Sequence, residues 1–264
     1  MKYLGGKQRL GKHISPTLRD IWDTNRINMK LDGILDPFCG SLGVFKHMTD
    51  FEGAKTYVAS DYHPDLIAMW QAVQNGTLEY PVSISEEEYL EAKAMDSPSA
   101  YKAFVGFGMS FGGRYFGAYS QKYLGEKRED FCKEMVNSLK RTAPMIRRPR
   151  VMFSNIEYQS LQPKNKFIYC DPPYEVTKYP IKYRRDTKRY DVFDNAEFWN
   201  IMRKWSKNNL VVISETNAPK DFVEIWNMDR YRSAAQSQQT RFTEKSETQK
   251  IEKLFIHSSL LDSH

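Results

Sequence analysis

A chain of 264 residues can bury a substantial core, and a single domain carrying one sizeable insertion is the natural expectation. Hydrophobic residues at 41% and charged residues at 27% exclude a disordered or fibrous architecture. The formal net charge is +6, and residues 101–150 alone hold eleven Lys or Arg against four Asp or Glu, which leaves the remainder near neutral.

A local basic excess fits a polyanion, nucleic acid above all, and it equally fits a solvated helix face. No apolar run approaches the roughly 20 residues that span a bilayer, so no membrane partner is expected, and no signal or transit peptide is visible. Cys39, Cys132 and Cys170 are scattered and odd in number, and the five histidines form no HxxxH or HExxH pattern. Neither a disulfide framework nor a zinc site follows, so an intracellular, cytoplasmic setting without a structural metal is expected.

In chain order, "GILDPF" (33–38) reads as a short buried strand and "LGVFKHM" (42–48) as the helix after it. "KTYVAS" (55–60) is a second strand ending at Asp61, and from Pro64 a helix places Leu66, Met69, Trp70 and Val73 on one face, with Gly76 beyond its end. "SISEEEYLEAKAM" offers Ser85 and Glu88 at capping-box spacing, and "SPSAYKAFV" starts another helix. A Gly- and aromatic-rich stretch (106–123) and a basic helix (127–143) complete a segment, 76–149, that reads as an insertion. After it "RVMFSN", "KFIYC", "NLVVIS" and "IEKLFIH" read as strands, with "AEFWNIMRKWS" as an amphipathic helix. The alternation of strand and helix is that of a parallel α/β sheet.

Three apparent strand ends carry acids: Asp36, Asp61 and Asp171. Ligands bind outside the carboxyl ends of such strands. The corner "DPPY" (171–174) has two prolines without N–H groups, which stiffen a set of oxygen acceptors beside the flat face of Tyr174. An acceptor pair next to a stacking surface suits a planar ring bearing an NH2 group.

"DPPY" after a buried strand resembles motif IV of the amino-methyltransferases, and the order of the remaining blocks is similar to that of the Dam-like (alpha-class) DNA N6-adenine methyltransferase family. "KYLGGK" resembles that family's N-terminal motif, which implies that Tyr3, Gly5, Gly6 and Lys7 line the cofactor or target pocket. "DPFCGSLGVF" resembles motif I, usually P-F-x-G-x-G. Asp36, Pro37, Phe38 and Gly40 match it, with Cys39 and Ser41 between and beside them, whereas Leu42 stands where the second glycine belongs and Gly43 follows one place late. Asp61, 21 residues beyond Gly40, fits the acid that accepts from ribose hydroxyls, a spacing that suits NAD as well. In "FSNIEY", Asn155 and Ile156 match the positions near the cofactor adenine.

The resemblance implies a Rossmann-like methyltransferase sheet formed by residues 1–75 and 150–264, with 76–149 as a mainly helical target-recognition insertion. It implies S-adenosyl-L-methionine as cofactor, S-adenosyl-L-homocysteine as product, and double-stranded DNA as partner, with a cognate restriction endonuclease where the enzyme is half of a restriction–modification pair. Asp171, Pro172, Pro173 and Tyr174 would be catalytic, with Asp171 also against the cofactor. Lys7, Arg114, Tyr119, Lys122 and Arg147 would contact DNA, among Arg148, Phe111, Tyr115 and Phe116. So would a second basic tract with Lys178, Lys182, Arg184, Arg185, Lys188 and Arg189. Cytosine N4, RNA adenine or a protein amide as acceptor, an inert DNA-gripping module, and a dehydrogenase on the same nucleotide fold remain open on sequence alone.

Overall fold

The computed structural model describes residues 1–120, 130–173, 193–229 and 251–261, together with the backbone of 123–124 and 127–128. The chain runs through α1 (Gly11–Asn25), β1 (Gly33–Asp36), β2 (Thr56–Ser60), α2 (Pro64–Asn75), α3 (Glu86–Ala94) and α4 (Ala100–Gly108). A two-stranded pair follows, β3 (Tyr123–Leu124) and β4 (Lys127–Arg128), then α5 (Phe131–Ile146), β5 (Val151–Ser154) and β6 (Lys166–Cys170). The last elements are α6 (Asn195–Trp205), β7 (Leu210–Glu215), β8 (Phe222–Asp229) and β9 (Ile251–His257).

Seven strands form one sheet in the order β5-β2-β1-β6-β7-β9-β8. The first five are mutually parallel, and β9 is antiparallel to both β7 and β8. From β1 the chain moves outward to β2 and later returns to β6 on the other side, so the topological switch lies between β1 and β6. At such a switch point open α/β sheets bind ligands in a crevice outside the carboxyl ends of the strands. Strands β1 and β7 are buried at every position, as expected of parallel strands covered on both faces.

Each face of the sheet has its own core. On one face Ile14, Leu18 and Trp22 of α1, spaced by four, pack with Trp70 of α2, Phe104 and Phe107 of α4, and Leu139 of α5. On the other, Phe198, Met202 and Trp205 of α6 cover Ile168, Val211 and Ile213. Helices α3 to α5, which lie between α2 and β5 in the chain, therefore share the first core with the sheet. Burying one such side chain stabilises the fold by about 1.5–3 kcal/mol.

Local signals explain most element boundaries. Pro64 opens α2 and Gly76 closes it at φ 75°. Both halves of the Ser85/Glu88 capping box form at the start of α3. The helix expected over 42–48 is instead a single 3-10 turn, Phe45–His47, because Leu42 takes φ 57° and breaks the right-handed run before it can propagate. The basic helix expected from 127 begins at Phe131, where Asp130 accepts from the Lys133 N–H at 2.8 Å, and continues to Ile146. Helix α1 and strand β8 have no counterpart in the sequence reading. Among the described residues no helix is long and apolar enough to cross a membrane, and no group of His, Cys, Asp or Glu is placed to hold a metal ion. The three cysteines are buried and unbridged.

Candidate active site at the carboxyl ends of the strands

Sheet register brings the three predicted acids to one edge. Asp36 pairs with Ala59, two residues before Asp61, and Leu35 pairs with Ile168, three before Asp171. Asp36 is buried and accepts the Phe38 N–H at 3.1 Å. Burial pushes its carboxyl well above the ordinary range; that N–H opposes the shift, and the charges of Asp171 and Asp61 reinforce it.

The turn after β1 is held from three directions. The Trp70 indole N–H of α2 donates to the Gly40 carbonyl at 2.9 Å, and the Gln8 side chain donates to the Ser41 carbonyl at 2.5 Å. The Tyr3 ring packs on Gly40, where a Cβ would lie 3.1 Å from it, and also lies against Phe107 at 5.2 Å between centroids. At Gly6 a Cβ would come within 2.7 Å of the Ser41 hydroxyl, so the N-terminal glycine permits the two motifs to touch. Leu42 adopts a positive φ, a conformation open to glycine, and Gly43 supplies the close approach, a Cβ there meeting the Lys7 carbonyl carbon at 2.8 Å. Pro37 and Cys39 are buried, and burial raises the Cys39 thiol well above its usual value.

Asp61 organises the adjoining loop. One oxygen accepts the Gly40 N–H and the other the His63 N–H, each at 3.0 Å, while the Asn155 side chain donates to the Asp61 carbonyl at 2.8 Å. Burial pushes its carboxyl up to about 6 against those two hydrogen bonds. Each oxygen retains a second lone pair for a further donor. Ser60 pairs with Ser154, so Tyr62 and Ile156, two residues beyond that pair, lie at the same edge; each is 41% exposed.

At the corner after β6 the Lys7 ammonium lies 2.7 Å from Asp171 Oδ1 and 3.1 Å from Glu252 Oε1. Lys7 is 4% exposed and Glu252 is fully buried, whereas the Asp171 side chain keeps 20% exposure. The Ser214 hydroxyl of β7 donates to Glu252. Pro172 is buried and Pro173 half-buried.

Several predicted residues are placed elsewhere. Lys7 faces inward and is already held by two carboxylates, so it is no phosphate contact here. Phe38 packs its ring against Tyr158 and Phe198 at 4.9 and 5.9 Å, on the opposite core. Tyr119 donates its hydroxyl to the Ile84 carbonyl at 2.7 Å, and Tyr115 donates to Asp65 at 2.6 Å. Phe116 is buried against Tyr89. Arg147 donates twice to the Val73 carbonyl, at 3.2 and 3.0 Å, capping the end of α2, and Arg148 pairs with Asp50 at 2.9 Å. Arg114 and Phe111 are exposed. Tyr174, Lys122, Lys178, Lys182, Arg184, Arg185, Lys188 and Arg189 lie outside the described residues.

Two residues at this edge escaped sequence reasoning. Tyr62 directly follows Asp61, and an exposed aromatic there is a flat surface beside the acid. Glu252 shares parity with Leu254 and Ile256 along β9, all three buried. An acid on the core face of an alternating strand was the available signal.

A largely parallel seven-stranded sheet, acids at the end of β1 and after β2, and an acid-proline-proline corner after β6 across the switch point together define a Rossmann-like methyltransferase. Over residues 3–107 and 109–252 the sequence matches the D12 class N6 adenine-specific DNA methyltransferases, and the protein belongs to that family. It is thus a DNA N6-adenine methyltransferase, an enzyme class that takes its methyl group from S-adenosylmethionine. Comparison with curated proteins gives no match.

Proposed function

We propose that this chain binds S-adenosylmethionine in the crevice between β1 and β6 and that Asp171 and Pro172 grip the amino group of an adenine swung out of double-stranded DNA. The observation that supports the reading is Asp171 itself. One carboxylate oxygen is fixed on a buried ammonium while the side chain stays partly exposed. A carboxylate so held accepts one amino hydrogen, and the Pro172 carbonyl accepts the other. Two acceptors draw the nitrogen lone pair out of ring conjugation and aim it, so that positioning and electrostatics supply the rate.

The residues fit the donor. Asp61 has acceptor capacity for ribose hydroxyls, Tyr62 and Ile156 offer apolar surface at the same edge, and the Gly40 turn is fixed by Trp70 and Tyr3. S-adenosylmethionine would supply a methyl group on a sulfonium: the amino lone pair makes the new N–C bond, the sulfur keeps the pair of the broken C–S bond and leaves as S-adenosylhomocysteine, and the amino nitrogen gives up one proton to solvent. Leu42 in place of glycine is no objection, since its φ of 57° lies in the left-handed region that glycine favours.

Extruding the base costs a few kcal/mol, and stacking on Tyr174 would recover roughly 1–3 kcal/mol. Segment 76–149 is the target-recognition part in this reading, with residues 1–75 and 150–264 as the catalytic part. Arg114, Lys122 and the tract from Lys182 to Arg189 would meet phosphates in a cytoplasmic, DNA-associated setting, with a cognate endonuclease as a further partner.

The test is Asp171→Ala, assayed for methyl transfer to duplex DNA and, by calorimetry, for S-adenosylmethionine binding. A lost charge-assisted hydrogen bond of about 1.5–3 kcal/mol predicts a loss of about ten- to a hundredfold or more in turnover with donor affinity retained. Full turnover by the variant would remove Asp171 from the mechanism.

A further inference from the structure

Behind the Asp171 corner runs a buried chain, Ser214 to Glu252 to Lys7 to Asp171, of which the proposed mechanism uses only Asp171 and the ammonium that holds it. Its parts come from four places: β7, β9, the N-terminal segment and the turn after β6. An ion pair taken out of water is expensive, and well-packed apolar residues in its place are often no less stable. Stability alone therefore does not account for an acid on the core face of β9.

Resting on the assignment of Asp171 as an acceptor, we propose that Glu252 is a positioning residue that holds Lys7 between two carboxylates and so sets both the orientation and the acceptor strength of Asp171. The geometry carries the argument. Lys7 is 2.7 Å from Asp171 and 3.1 Å from Glu252, so one positive charge is divided between two negative ones. With Glu252 neutral, the whole charge of Lys7 falls on Asp171, which then attracts the weak hydrogens of a neutral amine less strongly. With Lys7 gone, Asp171 loses its anchor.

Other ionisable groups near this chain are Asp36 at the end of β1, Tyr169 on β6 and Glu215 on β7. Tyr169 is buried, and burial raises its phenol well above the usual value, with the charges of Asp171 and Glu252 adding to the shift. Burial likewise raises Asp36, in part through the charge of Asp171. Glu215 turns its carboxylate to the Thr216 hydroxyl at 3.0 Å. Lys7 is a cation whose contacts reach both Asp171 and Glu252.

The test is the pH profile of kcat, at saturating S-adenosylmethionine, on duplex DNA free of adenine methylation, using the full chain. Glu252→Gln should lower the plateau about tenfold and move the acid limb about one pH unit down, because a negative charge has left the neighbourhood of Asp171. The KM for S-adenosylmethionine should stay close to that of the unaltered protein. The double variant Lys7→Met/Glu252→Gln leaves neither ion of the pair unmatched in the interior. Its acid limb should move up instead, by about one pH unit, as Asp171 loses its cation. A merely structural pair predicts activity falling with the folded fraction and limbs that do not move; that outcome overturns the proposal. If Glu252→Gln does not fold, the acid limb of Lys7→Met is set against that of the double variant: a higher limb with Glu252 present shows its charge acting on Asp171, and identical limbs overturn the proposal. Asp171→Asn run in parallel separates the two failures. An inactive Asp171→Asn beside unmoved limbs overturns the role of Glu252 alone, whereas an active Asp171→Asn overturns the acceptor reading beneath it as well.

Discussion

Trp70 and Gly40 are joined by a hydrogen bond of 2.9 Å from the indole N–H to the glycine carbonyl, both groups buried. The bond fastens α2 to the turn after β1, so the helix that follows Asp61 also fixes the loop proposed to face the cofactor. Trp70→Phe keeps most of the apolar volume but leaves the Gly40 carbonyl buried without this donor, a cost of about 1–3 kcal/mol. Chemical unfolding should show that loss, and calorimetry should show S-adenosylmethionine binding weakened by about tenfold. Donor affinity equal to that of the unaltered protein would separate the loop from the helix.

Leu42 poses two opposed effects at one residue. Its left-handed backbone costs roughly 1–2 kcal/mol, yet its side chain is fully buried in the first core. Removing a buried leucine side chain costs about 2–5 kcal/mol. Packing wins, so Leu42→Gly, which restores the usual family residue, should destabilise the fold by about 2 kcal/mol. Turnover of the folded fraction should remain, because φ does not change. Denaturant unfolding and an assay normalised to folded protein check both halves.

How much of this was legible in the chain depends on whether the signal was local. Strands β1, β2 and β6 and helices α2 and α3 carry their stop and start residues within a few positions, as at Pro64, Gly76 and Ser85. The three acids could be placed at one edge because parallel strands point their carboxyl ends the same way. Helix α1 was hidden by Pro16 within a 14-18-22 spacing of Ile, Leu and Trp. The 3-10 turn at 45–47 followed from a positive φ at a leucine, which composition does not disclose. Lys7 and Glu252 lie 245 positions apart, and only the antiparallel return of β9 brings them together. Tyr119 and Arg147 read as polar or aromatic surface, but their partners, Ile84 and Val73, are backbone carbonyls that a sequence pattern cannot announce.

Asp61 gives the fold a pH dependence of defined sign. Its carboxyl is pushed up to about 6, above the unfolded value near 3.8. A raised folded value means that the contribution is complete below about pH 4 and is lost as pH rises through about 6. The shift of roughly two units corresponds to about 3 kcal/mol at most. Asp61→Asn cannot ionise, so the unfolding free energy of the unaltered protein relative to this variant should fall by up to that amount between pH 4 and pH 7. A difference that stays flat over this range would mean that Asp61 ionises in the fold as it does in water.

The basic segment holds residues tied into the fold and residues proposed to meet DNA, and salt distinguishes them. Tyr119 and Arg147 are committed to backbone carbonyls inside the helical packing, whereas Arg114 and Phe111 are exposed near the Tyr3 end of the site. Each phosphate neutralised by a cation releases counterions, so the slope of log K against log salt falls by about 0.9 when one contact is removed. Arg114→Ala should reduce both duplex affinity and that slope. Tyr119→Phe should lower unfolding free energy by about 1 kcal/mol and leave the slope intact. Arg147→Ala should loosen the end of α2, again without changing the slope. Titrations of duplex DNA at several salt concentrations, paired with unfolding curves, check all three. An unchanged slope for Arg114→Ala would move the phosphate track away from this face.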